Sequence, residues 1–594
     1  MATTPDSPSL QQFLSPLTAP LSEPSLYRLS YHFSQTYKHL AACSTEYFFP
    51  TPITHLPTGR EQGRYLAVYV GLYYLHVGFI ELLGCDQGLG LGQEYAARRK
   101  KKIPVRRTLE KAWPIEARLK WEHPVEFFAW IGTCIAEVVG DSMRNENEQI
   151  DDDAREELVA GISFCFPIVQ KSLDEAVLLP TSKGFALASD LNLQQALLDG
   201  YEWHTRPHST GSSEEEEEEE EKKARTSKRR KKHISLPKLK IAAMTNDTVA
   251  TFASLAYSIK SLHAVPNNSR VVMGLMVGAG CNATVPMKVS SLHPSKTEFI
   301  TADSDSNSNT EKETLVSTEW TLLRSSQPLL DMHLLTRWDK HISAQSQPPG
   351  FQPMEYMVGG RYMGELVRLI VLEYFTIILK IPRDILPWRL LESGGLTTEF
   401  LSLNVASSFS SPALHNDDHL DHTEEAKEGK EEKEDAALAS TLNTHLPSAK
   451  GWTWNADKAR ILRTVAYAVQ SRSTAIIAAA TVGLLACIGE IHLEPAPAPT
   501  PAPTDKGDGI GTWNHGPEEL VVAFSGGLIQ NYPRYKENVQ RHIDRLLVHG
   551  GPQQGGKSIL LREVSDGGII GVGVLAGCSV RRGIEGIVGS RLDV

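Results

Sequence analysis

The most informative pattern of apolar and polar positions along the chain lies at residues 240–257. Residues 241–244 are apolar, as is typical of the end of a buried strand, and residues 245–248 are polar. From residue 249 to residue 256 apolar side chains recur at helical spacing. The pattern therefore predicts a strand, a short polar break and then a helix.

Two residues in the polar break have alternative roles. Asn246 and Asp247 are both of a type that caps the N-terminus of a helix. A carboxylate at the carboxyl end of a strand in an α/β sheet is also where a general base is expected. This stretch alone favours the capping role and leaves a catalytic role of Asp247 open.

A second pattern predicts a β-hairpin. Residues 63–84 read GRYLAVYVGLYYLHVGFIELLG, and apolar positions alternate on both sides of Gly71. Such alternation around a glycine is typical of two strands that are joined by a tight turn.

Apolar periodicity predicts further helices, one over residues 26–42 and two over residues 455–489. The apolar run at 475–489 is rich in alanine and shorter than the ~20 residues that a membrane span needs, so we expect a buried helix and no membrane span. Residues 1–25 are rich in proline and serine, and this composition predicts disorder.

Composition indicates a large soluble protein. The 594 residues are 41% hydrophobic and 22% charged, and this length predicts two or more domains. The formal net charge of −11 comes largely from two local acidic runs, so it says little about partners of the folded part. The seven cysteines are scattered without a CxxC pair, which predicts buried thiols in a reducing compartment and no metal site.

Two polar insertions interrupt the chain. In residues 206–236 a run of glutamates at 214–221 precedes a basic run at 222–232, and such a segment is expected to be disordered. The basic run is either a signal for a nuclear import receptor or a solvated loop whose charge offsets the acidic run. The protein is therefore expected in the cytoplasm, the nucleus or both. Residues 407–450 alternate glutamate and lysine and predict a long mobile loop.

Several segments place polar residues beside glycines or aromatic residues. Residues 164–170 read FCFPIVQ, residues 181–185 read TSKGF, and a strand at 271–277 runs into the turn GAGCNA. Thr318-Glu319-Trp320 follows, and then residues 347–365, which include Glu355. By themselves these motifs support only an α/β protein whose strands end at Gly- or Asp-rich turns.

Together with the TNDTV of residues 245–249, these motifs follow the order of the hexokinase family, which the chain resembles from about residue 26 onward. The branch most similar to it comprises the fungal atypical and N-acetylglucosamine-kinase-like proteins. The resemblance implies an α/β fold of the two-lobed actin-like ATPase (ribonuclease H-like) type, with a cleft between a small and a large lobe. The implied division is a disordered 1–25, an N-terminal helix and linker at 26–59 packed on the large lobe, a small lobe at 60–245, a large lobe at 246–566 and a C-terminal helix at 567–594 that returns to the small lobe.

The resemblance also implies a role for each matching residue. Asp247 would take the proton from the primary hydroxyl of a hexose or N-acetylhexosamine, whose oxygen would attack the γ-phosphate of Mg-ATP. The implied sugar-binding residues are Ser182, Lys183, Asn246, Asn282, Glu319 and Glu355. The implied nucleotide-binding residues, in a degenerate form of the family pattern, are Gly71, Gly278, Gly280 and Gly526.

The chain departs from the family pattern on the phosphate side. The family's first phosphate loop reads L-D-L-G-G-T-N-x-R-V, and its Asp, which helps to hold the Mg²⁺-nucleotide, falls on Tyr69. A phosphate hairpin needs glycine and facing donors, whereas this chain has bulky residues there. Further departures affect the second phosphate turn and the nucleotide lobe. The substituted positions are Leu72, Tyr73, Tyr74, His76, Ala279, Ser525, Gly527 and Ile569.

These retained and lost groups predict a hexokinase-like protein that binds sugar, regulates carbon metabolism through a protein partner and has lost most or all catalysis. The substitutions argue against tight binding of Mg-ATP. Two alternatives stay open. The first is an active hexose or N-acetylglucosamine kinase with an unusual phosphate loop, and the second is a purely structural interaction protein whose sugar pocket is a relic.

Overall fold

The structure is a computed structural model of the 594-residue chain. It describes residues 9–84, 104–121, 123–146, 157–179, 185–187, 190–205, 236–261, 268–301, 312–346, 348–406, 424–448, 450–495, 518–549 and 556–592. The chain forms two compact units. The larger unit comprises Met1–His55 and His263–Gly567, and the smaller unit comprises Leu56–Leu262 and Gly568–Val594.

The strands of the described residues, numbered in chain order, are β1 Phe49–Pro50, β2 Gln62–Val70, β3 Tyr74–Leu83, β4 Val105–Pro114, β5 Glu157–Phe164, β6 Ile168–Val169, β7 Val177–Leu178, β8 Lys238–Asn246, β9 Ser269–Val277, β10 Cys281–Lys288, β11 Glu313–Ser317, β12 Glu518–Ser525 and β13 Lys557–Glu563.

The α-helices, numbered in the same way, are α1 Leu10–Thr18, α2 Glu23–Cys43, α3 Ala117–Trp121, α4 Pro124–Glu146, α5 Leu193–Glu202, α6 Asp247–Ser261, α7 Glu298–Thr301, α8 Gln327–Asp331, α9 Arg337–Gln345, α10 Pro353–Val358, α11 Gly360–Glu373, α12 Trp388–Leu391, α13 Thr398–Asn404, α14 Glu424–His445, α15 Ala456–Cys487, α16 Gly527–Asn531, α17 Tyr535–His549 and α18 Gly567–Leu592.

The larger unit is built on a mixed six-stranded sheet with the order β1-β11-β10-β9-β12-β13. Strands β9, β10 and β11 form an antiparallel meander, while β12 runs parallel to both β9 and β13. The long helix α15 lies in the core beside α2 and α17, and it is buried almost throughout its C-terminal half. Helix α2 approaches it closely at Gly483, where a Cβ atom would lie 2.7 Å from Ser30 O.

The smaller unit is built on a five-stranded sheet with the order β4-β3-β2-β5-β8. Strands β2 and β3 form the antiparallel hairpin that the alternation around Gly71 predicts, and this prediction is confirmed. Strands β2, β5 and β8 are parallel, so their carboxyl ends meet at one edge of the sheet. This edge carries Tyr69 near the end of β2 and Asn246 at the end of β8.

Two predictions made from composition and one made from apolar periodicity are wrong. Residues 1–25 were expected to be disordered. Residues 1–8 lie outside the described residues, but within 9–25 helix α1 begins at a capping box formed by Ser9 and Gln12 and buries Phe13 and Leu17. Residues 407–450 were expected to form a loop. Residues 407–423 lie outside the described residues, but α14 occupies 424–445, and Leu438 and Leu442, which follow its charged first half, are buried.

The third wrong prediction concerns residues 455–489, which form the single helix α15 rather than two helices. The stretch contains the polar residues 470–474. They remain helical because their side chains find partners inside the core. Arg472 pairs with Asp339, and Ser473 Oγ donates to Val358 O at 3.2 Å.

Helix α15 also has the length and apolar composition of a membrane-crossing helix, as no other helix in the described ranges does. In the structure 94% of its apolar stretch is buried within the protein. This burial is typical of a helix at the centre of a protein core. It agrees with the buried helix that was expected from the alanine-rich sequence.

The boundary between the units differs from the expected one. Residues 246–262 fall in the smaller unit together with the preceding strand β8, whereas a boundary at 245/246 was expected. The reason is packing, since α6 lies against the glycine-rich helix α18 within the smaller unit. The residues of α18 from Gly568 onward belong to this unit as well.

Replacing Gly571 by alanine is expected to destabilise the smaller unit. A Cβ atom at Gly571 would lie 1.8 Å from Ala250 O, so α18 would have to move away from α6. Overpacking of this kind costs about 1–3 kcal/mol or more. Urea unfolding followed by circular dichroism should show a lower midpoint for Gly571→Ala.

The matched control for that variant is Gly140→Ala in helix α4. A Cβ atom there would meet only Arg144, at 3.7 Å. Alanine is therefore expected to be neutral or to stabilise by up to about 1 kcal/mol. A Gly571→Ala protein as stable as Gly140→Ala would contradict the close packing of α18 on α6.

Candidate functional site

In the larger unit, the turn between β9 and β10 is held against the start of helix α11. Gly278 N donates to Gly280 O at 2.9 Å and closes the turn. The carbonyls of Gly278 and Ala279 accept from the backbone N–H groups of Gly360 and Arg361, at 2.8 and 3.0 Å. The first amides of α11 thus fix the turn instead of facing solvent.

Gly280 leaves room for a carboxylate. A Cβ atom at this position would lie 2.8 Å from Glu355 Oε2, so only glycine lets the buried Glu355 side chain approach the turn. Glu355 lies in the short helix α10. A buried carboxylate beside a glycine turn is a strong hydrogen-bond acceptor for a hydroxyl-bearing ligand.

Asn282, two residues after Gly280, is hydrogen-bonded to Glu319. Asn282 Nδ2 donates to Glu319 Oε1 at 2.8 Å, and Ser317 Oγ donates to the same oxygen at 2.9 Å. Glu319 is buried and has φ +50, a conformation that non-glycine residues adopt infrequently. Its carboxylate is therefore fixed by the backbone and by two donors.

The larger unit also contains three of the four glycines that the resemblance implies for nucleotide binding, namely Gly278, Gly280 and Gly526. Gly526, between β12 and α16, has φ +120, and a Cβ atom there would lie 2.5 Å from Val277 O and 2.9 Å from Gly278 N. Gly526 therefore packs directly on the turn that contains Gly278 and Gly280. The fourth, Gly71, belongs to the smaller unit.

In the smaller unit, the structure shows which of Asn246 and Asp247 caps α6. Asn246 Oδ1 accepts from Val249 N at 3.0 Å and from Thr248 Oγ1 at 2.9 Å, so Asn246 is the cap of α6. Asp247 is the first residue of that helix and is buried. The positive end of the helix dipole favours the ionised form of a carboxylate at this position.

Tyr69, the residue on which the resemblance places the family's aspartate, interacts electrostatically with Asp247. Burial raises the pKa of the Tyr69 phenol well above its usual value, and the negative charge of Asp247 raises it further. The Tyr69 ring also packs on the start of α18, where a Cβ atom at Gly568 would lie 2.8 Å from Tyr69 Cδ2. The phenol is therefore neutral at physiological pH, and its ring packs on α18.

The hairpin turn after Tyr69 is an ordinary tight turn. Gly71 N donates to Tyr74 O at 3.0 Å, and Tyr73 and Tyr74 are exposed at its tip. Lys120 Nζ lies 4.9 Å from the centre of the Tyr73 ring. His76 Nδ1 lies 3.3 Å from Glu110 Oε1, and this contact lowers the pKa of Glu110.

Two of the expected sugar-binding residues, Ser182 and Lys183, lie outside the described residues, as do the basic run at 222–232 and most of the insertion at 206–236. The neighbouring motif residues that are described have structural contacts. Phe166 and Phe185 form an edge-to-face pair with ring centres 4.8 Å apart. Gln170 Nε2 donates to Met244 O at 2.9 Å, just before the cap of α6.

Sequence reasoning missed two contacts. One joins Ser317 to Glu319, and the other places the ring of Tyr69 on Gly568. The serine is the last residue of β11, two residues before Glu319, so its closeness along the chain was a usable signal. No comparable local signal links Tyr69 to Gly568. Within the described ranges, no group of three or more His, Cys, Asp or Glu side chains is placed to hold a metal ion.

Comparisons with known proteins agree with this architecture. Two family models, both described as hexokinase, match residues 9–257 and 272–578. The chain is 24% identical over 541 residues to Hexokinase-1 of Oryza sativa subsp. japonica, covering 89% of this chain and 82% of that protein. It is 23% identical over 548 residues to a glucokinase of Aspergillus niger, covering 89% and 88% of the two chains.

Among solved structures, the hexokinase from Schistosoma mansoni complexed with glucose is similar in fold. The TM-score is 0.63 at 22% sequence identity, with 96% of this chain and 100% of that chain covered. The two family models together cover nearly the whole chain. Their match agrees with the order of the motifs and with the α/β architecture of both units. The chain therefore belongs to the hexokinase family and has its two-lobed sugar kinase fold.

Proposed function

We propose that this hexokinase-family protein binds a hexose, has lost most phosphoryl transfer and acts as a sugar-dependent regulator. The observation that carries the proposal is Tyr69. A neutral, partly buried phenol packed on Gly568 and under the electrostatic influence of Asp247 stands where the family pattern has a carboxylate for the metal-bound nucleotide.

Sugar binding is supported by the groups at the Gly278–Gly280 turn of the larger unit. Asn282 and Glu319 are joined at 2.8 Å, and Glu355 lies against Gly280. Fixed carboxylates and an amide suit the several hydroxyls of a hexose, because each can accept or donate without costly reordering. Glucose is the first candidate, since a relative of similar fold was solved with glucose. An N-acetylhexosamine is the second.

Asp247 is assigned the role of general base for the sugar hydroxyl. Because Asn246 already caps α6, Asp247 is not needed for that purpose. Its place as the first residue of α6 puts the carboxylate at the positive end of the helix dipole. On this proposal the base is retained, and what is lost is the charge stabilisation of the phosphate.

The residues around the first phosphate hairpin do not fit a metal-bound nucleotide. A phenol with a raised pKa stays protonated, so Tyr69 does not replace a carboxylate as an acceptor for hydrated Mg²⁺. Leu72 and Tyr73 stand where the family has glycine and threonine. Phosphoryl transfer depends on positioning and charge stabilisation, and one lost donor can cost ~2.7–4 kcal/mol of barrier by analogy with oxyanion-hole variants. Several losses together would leave little turnover.

The second candidate function is an active hexose or N-acetylglucosamine kinase. It is favoured by Asp247 and by the packing of Gly526 on the turn that contains Gly278 and Gly280, which keeps a compact glycine surface in the larger unit. The proposal of a sugar-dependent regulator also includes a protein partner that it regulates and nuclear import through residues 222–232.

The deciding experiment is calorimetric titration of the purified protein with glucose and N-acetylglucosamine, followed by Mg-ATP and an assay for sugar phosphate. We expect sugar binding without measurable Mg-ATP binding. Clear binding of Mg-ATP followed by sugar phosphate would contradict the proposal and identify a working kinase. Binding of neither ligand would leave only a structural role.

Asp247→Asn is the control for that assay. Any sugar phosphate made by this protein must fall when the base is removed. Product that persists unchanged in Asp247→Asn comes from a contaminating kinase and does not count against the proposal.

A further inference from the structure

A groove in the smaller unit lies between helices α4 and α5. Its volume is about 290 Å³, and its exposed wall is mostly apolar. It contains none of the residues assigned above to the sugar or the nucleotide, so it is independent of the proposed function.

One wall of the groove is a stripe along α5. Asn192, Ala196, Asp199 and Trp203 line it at helical spacing of three or four residues. Asn192 caps the helix, since its Oδ1 accepts from Gln195 N at 3.0 Å. The wall therefore extends over the full length of α5.

The opposite wall is the first turn and a half of α4, with Pro124, Val125 and Phe128. The two helices touch backbone to backbone, because a Cβ atom at Gly200 would lie 2.2 Å from Phe128 O. A similar contact occurs at Gly132, where a Cβ atom would lie 2.1 Å from Gly200 O. This crossing forms the floor, and the side chains on both sides form a trough of the kind into which a third helix packs.

The rim of the groove exposes large apolar side chains. Val125 is 68% exposed and Trp203 is 73% exposed. A contiguous exposed apolar surface around a groove is typical of a protein-binding site, and tryptophan is frequent at the centre of such sites. The cavity is at the lower end of the ~300–1,000 Å³ that is usual for small-molecule sites, a size that also accepts a large side chain.

The charge of the groove indicates its partner. Asp199 is the one charged side chain among the described lining residues, and no lysine or arginine is among them. Gln195 Nε2 donates to Asp199 Oδ1 at 2.7 Å and orients the carboxylate at the groove. An apolar trough with one oriented carboxylate is complementary to an apolar helix face that carries one cation.

We propose that the groove between α4 and α5 binds an amphipathic helix of a partner protein, which inserts a large apolar side chain between Val125 and Trp203 and pairs a lysine or arginine with Asp199. This is the helix-in-groove mode of recognition, in which spaced apolar anchors supply affinity and a charge sets the register.

The test uses the full chain and a phage-displayed library of helical peptides of about 16 residues, long enough to form a helix. Selection on the wild-type protein is combined with counter-selection on the variant Val125→Glu/Trp203→Glu. We expect enriched peptides to have apolar residues three or four apart and one lysine or arginine. The dissociation constant of the best synthetic peptide should rise at least tenfold on Asp199→Lys.

Charge exchange makes the test specific. A version of the peptide with glutamate in place of its cation should bind Asp199→Lys more tightly than it binds the wild-type protein. Val548→Glu, which alters another exposed valine (78%) in the larger unit, is the matched control and should leave peptide affinity unchanged. Circular dichroism melting of each variant establishes that the fold is intact.

Three results would overturn the proposal. The selection could yield no peptide that distinguishes the wild-type protein from the groove variant, or peptides without a cation preference. The wild-type chain could self-associate in solution in a way that Val125→Glu abolishes, in which case the groove joins two copies. A small-molecule fragment could occupy the groove when no peptide does.

Discussion

Replacing Arg472 by methionine is expected to lower the free energy of unfolding of the larger unit by about 3–5 kcal/mol. Arg472 and Asp339 are both only 1% exposed, and two guanidinium nitrogens of Arg472 donate to the two carboxylate oxygens of Asp339 at 2.7 Å. Without the arginine, Asp339 is left as an uncompensated charge in the core. Urea unfolding followed by tryptophan fluorescence measures the loss.

Two controls separate this effect from simple loss of packing. Arg460→Met, on the same helix, removes an exposed pair with Asp457, whose side chains are 59% and 69% exposed, and should cost about 0–1 kcal/mol. The double variant Arg472→Met/Asp339→Asn should be more stable than Arg472→Met alone, since no buried charge remains. An Arg472→Met protein as stable as Arg460→Met would contradict the burial of the pair.

Replacing Asn282 by alanine is expected to weaken glucose binding by about 10- to 150-fold. Asn282 Nδ2 donates to Glu319 Oε1, so the variant loses its own amide and one of the two donors that hold the glutamate. Hydrogen bonds to charged groups contribute about 1.5–3 kcal/mol each, which is the basis of that range. Isothermal titration with glucose gives the affinity.

Asn404→Ala is the matched control for Asn282→Ala. Asn404 Nδ2 donates to Phe400 O at the end of helix α13, in the same unit. Its loss should leave glucose affinity unchanged and thermal stability within about 1 kcal/mol. Equal glucose affinity of Asn282→Ala and the wild-type protein would remove Asn282 from the sugar site.

Local patterns predicted the elements that carry the candidate site. The hairpin of β2 and β3 follows from alternation around Gly71, and the start of α6 follows from polar residues between two apolar runs. Both depend on neighbours in sequence, which is why a single chain reveals them. Composition was a poorer guide, because the buried faces of α1 and α14 are hidden among Pro, Ser, Glu and Lys.

Contacts between distant segments could not be predicted from residue patterns. Asn282 meets Glu319 because β10 pairs with β11 in a register that aligns Thr284 with Ser317. Side-chain spacing does not specify that register, and the motif order only implied that the residues act together. The ring of Tyr69 meets Gly568 across almost the whole chain, so no local pattern showed how tightly the tyrosine is held.

The division of the smaller unit between two distant parts of the chain has a consequence for biosynthesis on the ribosome. Residues 56–262 emerge first, but the helix that covers Ala67, Ile80 and Tyr257 follows only after residues 263–567. At ~5–20 residues per second, those roughly 300 residues take about 15–60 s to translate. During that interval this side of the sheet has the cover of α6 but lacks that of α18, so nascent chains of this protein should depend on chaperones until α18 emerges.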